Sequence, residues 1–167
     1  MFEQEIKSER TLYFDIDGTI NDYNDVVKSR FRNGQLQQLL EELGFKSLVC
    51  VSGWATMVRD AGAYQSWRQL SNDDMVEAVR EVILDAFPDR EIFHSACELR
   101  FENDDRCNHI DTSKDWYYLD DWANEFAAKR WAETMPDEFL TRICQCAPRG
   151  DGGDIIDFLQ GAVMENH

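Results

Sequence analysis

Short apolar runs alternate along the chain with longer stretches in which apolar residues recur every three or four positions, and polar turn residues separate the two. Runs of four or five apolar residues read as buried strands, whereas the 3.6-residue recurrence marks helices with one buried face. Residues 11–14 end at Asp15 and form the first expected strand. Leu36, Leu39, Leu40 and Leu43 then share a helical face, with Gly44 where a C-terminal cap belongs. Residues 47–51 repeat the strand, ending at Ser52 and Gly53, and a helix is expected over 55–70. Ser71 with Asp74 resembles a capping box, and Val76, Val79, Val82, Ile83 and Phe87 make an apolar face that Pro88 closes. Residues 90–115 carry the weakest pattern, with a strand expected near Ile92 or Leu99. Residues 116–119 are a further strand ending at Asp120 and Asp121, before a helix over 122–132. A strand over 141–147 and a helix over 154–163 complete the chain, separated by the glycine-rich turn at 150–153.

Strands that alternate with helices predict an α/β fold, a three-layer sandwich around a central parallel sheet with Rossmann-type topology. Ligands in such sheets bind beyond the carboxyl ends of the strands. The 167 residues suit one domain over 1–167, with a small insertion or decorated loop around 90–115.

Charge narrows the classes of partner. With 33 acidic against 17 basic residues the formal net charge is -16, so the average surface repels polyanions and anionic membranes. Much of that charge also serves simply as a solvated coat. No stretch approaches the roughly 20 apolar residues of a membrane span, and the first ten residues lack the pattern of a signal peptide. With five cysteines, an odd number without a dense framework, the expectation is a cytoplasmic protein.

The topology turns scattered polar residues into a constellation. Asp15 and Asp17, Ser52, and Asp120 with Asp121 each stand just past the end of an expected strand. Crowded carboxylates repel one another, so such a group pairs with bases or holds a cation, and an all-oxygen ligand set favours Mg²⁺. The bland alternative is turn chemistry, since Asp accepts local backbone hydrogen bonds and starts helices.

Asp15-Ile16-Asp17-Gly18-Thr19 matches the DxDGT motif of the haloacid dehalogenase-like (HAD) phosphohydrolases, and follows the apolar strand that motif requires. Ser52 resembles the second motif of that family, and Asp120, Asp121 and Glu125 resemble its acidic fourth motif. The resemblance spans residues 11 to about 161. It implies an Mg²⁺-dependent phosphomonoester hydrolase in which Asp15 becomes an aspartyl-phosphate, Asp17 serves as acid and base, and Ser52 donates a hydrogen bond to the phosphoryl group. Mg²⁺ would be held by Asp15, the Asp17 carbonyl and the Asp120/Asp121 pair, with Asp121 the closer ligand of the two. Gly18, Thr19, Gly53 and Trp54 would shape the substrate side. Trp54 also reads as a residue that stacks on a flat substrate group, against the plainer reading in which it packs in the core like Trp67, Trp116, Trp122 and Trp131.

The family's third motif, a Lys or Arg that neutralises the nucleophile, has no clean counterpart. Lys114 precedes the expected strand at 116–119, which places it at the wrong edge of the sheet. Arg106 and Arg100 are the other candidates, from the loop upstream. That gap keeps open a degenerate HAD-fold binding protein, and the net charge alone motivates an acidic phage or host-interaction protein. The short spacing after Thr19 leaves no room for a cap domain there, so the substrate is expected to be a phosphate ester, nucleotide-like, with nucleic-acid ends admitted by an open site but disfavoured by charge. His94, Cys97, Cys107 and His109 form a weaker metal signal, a structural zinc whose spacing matches no common pattern. Cys144 and Cys146 share a strand face and read as core or as a redox pair.

Overall fold

A computed structural model describes residues 9–22, 25–31, 34–51, 82, 85–88, 97–100, 106–148 and 150–166; the side chains of 17, 25–28 and 97–100 lie outside that description. The chain is mixed α/β. Seven strands are present among the described residues: β1 (Arg10–Phe14), β2 (Asn21–Asp22), β3 (Asp25–Ser29), β4 (Phe45–Val51), β5 (Cys97–Arg100), β6 (Trp116–Asp120) and β7 (Ile143–Gln145). Helices α1 (Gln35–Glu42), α2 (Ala123–Trp131) and α3 (Gly153–Glu165) accompany them. Five strands form one sheet in the order β5-β4-β1-β6-β7, and every pairing in it is parallel.

The centre of the sheet is built from residues that suit burial on both faces. All but the first residue of β1 and all five of β6 are buried, as expected of parallel strands covered on both sides. Side-chain alternation divides them. Leu12, Phe14, Leu48, Cys50, Tyr117 and Leu119 face one cluster, completed by Leu36, Leu39 and Leu40 of α1 and Ile155, Leu159, Ala162 and Val163 of α3. Tyr13, Val49, Val51, Trp116 and Tyr118 face the other, with Cys107, Ile110 and Ala123, and with Phe126, Trp131 and Phe139 packed against it.

Two features depart from the sequence expectation. Residues 16–20 form one π-helical turn, closed by the Asn21 N–H on the Ile16 carbonyl, and then β2 and β3 pair as an antiparallel hairpin. The turn residues around Asp22 and Asn24 conceal this hairpin in the sequence, because its strands carry no sustained period-two pattern. The strand expected over 141–147 shrinks to Ile143–Gln145, since residues 137–142 wind into a 3₁₀ helix begun after Pro136. The expected helix over 55–70 and most of the one after Ser71 lie outside the described residues, with 82, 85 and 86 helical. Of the two positions offered for a strand in 90–115, the structure places one at Leu99, in β5. No described helix is long and apolar enough to cross a membrane.

Candidate active site

Register brings the acidic groups together. Phe14 on β1 pairs with Leu119 on β6, and the Asp15 N–H donates to the Leu119 carbonyl at 3.0 Å. Asp15, the residue after β1, and Asp120, the last of β6, therefore meet at the carboxyl edge. Carboxylate oxygens of Asp15, Asp120 and Asp121 all lie within 4.8 Å of one another, although the first is more than a hundred residues from the other two. Asp15 and Asp120 are 3% and 0% exposed, so their charges cannot be left to water.

A buried arginine answers part of that charge. Arg106 opens a 3₁₀ turn, Arg106–His109, and its Nη1 donates to Asp120 Oδ2 at 2.7 Å while standing 3.0 Å from Asp15 Oδ1. The guanidinium also lies over the Phe126 ring of α2, 4.3 Å from its centroid. Burial works against the cation, but Asp15 and then Asp120 more than offset it, so Arg106 is held charged more firmly than a free arginine. Its Nε is buried without a hydrogen-bond partner among the described residues. Two of the three carboxylates, Asp15 and Asp120, meet the guanidinium, and the oxygens of all three lie close enough together to hold a metal ion. An all-oxygen donor set of this kind suits a hard divalent cation.

The loop after β1 is locked to the same edge. Gly18 takes φ +74, a left-handed conformation that glycine adopts without strain, and its N–H donates to Asn21 Oδ1. Thr19 is fully buried and its hydroxyl accepts the Asp121 N–H at 3.2 Å. Arg30 binds the Gly18, Thr19 and Ala147 carbonyls, fastening the loops after β1 and β7 to one another. The Cys146 thiol packs 3.4 Å from the Gly18 carbonyl, and burial raises it above the ordinary thiol range.

Several expected residues stand elsewhere. Lys114 is exposed in the turn before β6, where the Thr11 N–H meets the Asp115 carbonyl, at the opposite edge from Asp15. Arg100 ends β5 opposite Val51, with its side chain outside the described residues. Ser52, Gly53, Trp54 and Trp67 lie outside the described residues, as does the side chain of Asp17. Of the zinc candidates, His94 and the Cys97 side chain also lie outside. Cys107 packs in the core with Tyr118 and Ala123, its thiol pushed up to about 12 by burial and then by Asp120. Trp116 is a core residue and the half-buried Trp131 packs against it, both meeting Phe139 edge to face. Trp122 is not: it is 58% exposed immediately after Asp121, because it starts α2 at the sheet edge instead of facing the sheet.

Compared with protein-family models, with curated proteins and with solved structures, the chain matches none.

Proposed function

We propose that the protein is an Mg²⁺-dependent phosphomonoester hydrolase of the HAD type, built as a three-layer α/β sandwich. The observation that carries this reading is the meeting of Asp15, Asp120 and Asp121 with Arg106 at the carboxyl edge of β1 and β6. A strand-end Asp held by its own backbone N–H on the neighbouring strand is a fixed nucleophile, and fixed geometry is what covalent catalysis needs.

In this reading an Asp15 oxygen attacks phosphorus as the bond from phosphorus to the ester oxygen breaks. The departing oxygen takes a proton from Asp17, two residues on in the π-helical turn. Water then attacks the aspartyl-phosphate, gives its proton to Asp17, and releases inorganic phosphate with the Asp15 carboxylate restored. Arg106, 3.0 Å from Asp15, sets a positive charge beside the nucleophile and lowers the cost of bringing a dianionic ester there. That contact makes Arg106 the candidate for the third-motif base whose lack of a clean counterpart motivates the degenerate reading. Bound Mg²⁺, held by Asp15, the Asp17 carbonyl and Asp121, would supply charge stabilisation for the phosphoryl oxygens. The exposed Trp122 beside Asp121 offers a flat apolar surface, which favours a substrate with a planar group, such as a nucleotide.

Release of p-nitrophenol from its phosphate ester, with and without Mg²⁺, tests the reading. Turnover that needs Mg²⁺ and falls at least about a thousandfold in Asp15→Asn is expected, since that variant removes the nucleophile. An unchanged rate in Asp15→Asn would refute it.

A further inference from the structure

Asp120 and Asp121 are neighbours in sequence but not in surroundings. Alternation along β6 puts Tyr118 and Asp120 on the same face of the sheet, toward Arg106 and α2. There the Asp120 carboxylate is taken up on both oxygens: Oδ2 accepts from Arg106 Nη1 at 2.7 Å and from the Tyr118 hydroxyl at 2.6 Å, and Oδ1 accepts the Trp122 N–H at 2.9 Å. These contacts use three of the roughly four acceptor positions a carboxylate has. Asp121, one residue further, is turned toward the other side. Its N–H is held by Thr19, and its Oδ2 lies 2.8 Å from where a side chain on Gly18 would begin.

We propose that Asp120 and Tyr118 are positioning residues that hold Arg106 against Asp15, so that Asp121 alone of the doublet faces the divalent cation. The Tyr118 hydroxyl and the Trp122 N–H fix the carboxylate plane, and the carboxylate fixes Nη1. Tyr118 suits this role because its hydroxyl donates to Oδ2 of Asp120, the same oxygen that Arg106 Nη1 meets. The cation's presence rests on the phosphatase reading; the arrangement of Asp120, Tyr118 and Arg106 does not.

Mn²⁺ titration of the whole chain by calorimetry, with folding checked by circular dichroism, separates the two aspartates. The double variant Arg106→Gln/Asp120→Asn keeps the net charge of the site and is expected to bind Mn²⁺ within about threefold of the parent, whereas Asp121→Asn is expected to weaken it at least about tenfold. Tyr118→Phe keeps all charges, should leave Mn²⁺ affinity unchanged, and should lower kcat/KM on p-nitrophenyl phosphate about tenfold through a loosened arginine. Nitrogen-15 spectra of the Arg106 side chain give a readout without turnover: slow guanidinium rotation in the parent, fast rotation in Tyr118→Phe. Equal loss of Mn²⁺ binding in the double variant and in Asp121→Asn overturns the assignment, as does unaltered rotation in Tyr118→Phe. Should the double variant not fold, the Tyr118→Phe spectra decide. A parent that binds Mn²⁺ and shows these differences but hydrolyses no ester refutes the phosphatase reading and leaves this one standing.

Discussion

Gly18→Ala tests how tightly the loop after β1 is built onto the metal-facing aspartate. Gly18 has φ +74, and a methyl group there would sit 2.8 Å from Asp121 Oδ2, 3.0 Å from its Cγ and 3.1 Å from Pro148 Cβ. Ordinary contact begins at 3.4 Å, so the carboxylate must retreat by about 0.6 Å, with Pro148 blocking the opposite escape. Gly44 is the control. It has nearly the same backbone conformation, φ +79, after α1, but the nearest atom to its added methyl is the flexible end of Arg10 at 3.5 Å. A left-handed alanine costs about 1–2 kcal/mol. Gly44→Ala should therefore lower stability by that amount and no more, a drop in Tm of roughly 2–8 °C for a chain of this size. Gly18→Ala adds overpacking of about 1–3 kcal/mol and should also weaken Mn²⁺ binding at least about tenfold, because its methyl displaces the ligand itself. Thermal melts and calorimetric titration of both variants measure this. If the two alanines cost the same and Gly18→Ala binds Mn²⁺ like the parent, the close approach of Gly18 to Asp121 is wrong, and with it the placement of Asp121 at the site.

Two further expectations concern pH and the base of the site. The Cys107 and Cys144 thiols are pushed up to about 12, both chiefly by burial, from an ordinary value of 9.0. Between those values the unfolded chain binds fewer protons than the folded one, so stability is complete below about pH 9 and falls as pH rises, by about 1.4 kcal/mol per unit for each thiol. Urea midpoints measured from pH 8 to 11 should decline over that window, and a flat profile would contradict the burial of both thiols. Lys114→Ala, on an exposed side chain at the far edge of the sheet, should change stability by less than about 0.5 kcal/mol and leave kcat/KM alone. A tenfold loss of activity there would return the role of charge neutraliser from Arg106 to Lys114.

What is legible in the sequence follows from where information is local. The strand ends at Phe14 and Leu119 can be read because a short aromatic run that stops at acids is too brief for a helix and too apolar for a loop. The shared edge of Asp15 with the Asp120 and Asp121 pair then follows from parallel topology alone. The hairpin β2–β3 is not legible, as its two strands pair polar residues, Asn21 with Ser29 and Asp22 with Asp25, and leave no apolar period.

Arg106 shows the limit more sharply. It is one of three basic candidates; Lys114 is set aside by its place before the strand, but nothing separates Arg106 from Arg100, because a four-residue 3₁₀ turn carries no periodicity to read. Its selection is tertiary: Tyr118 and Asp120 come from β6, Phe126 from α2 and Asp15 from the position just after β1. Yet half of the arrangement is present in the five letters WYYLD once alternation is followed through the end of the strand. Trp116, Tyr118 and Asp120 share a face, so a tyrosine hydroxyl two residues before an acid at a strand end is already aimed at it. A doublet of aspartates at such a position is divided where the strand ends, with Asp120 the last residue of β6 and Asp121 in the turn beyond it. One carboxylate is left to order the cation-bearing side chain on its own face, and its neighbour is left to meet the loop after β1.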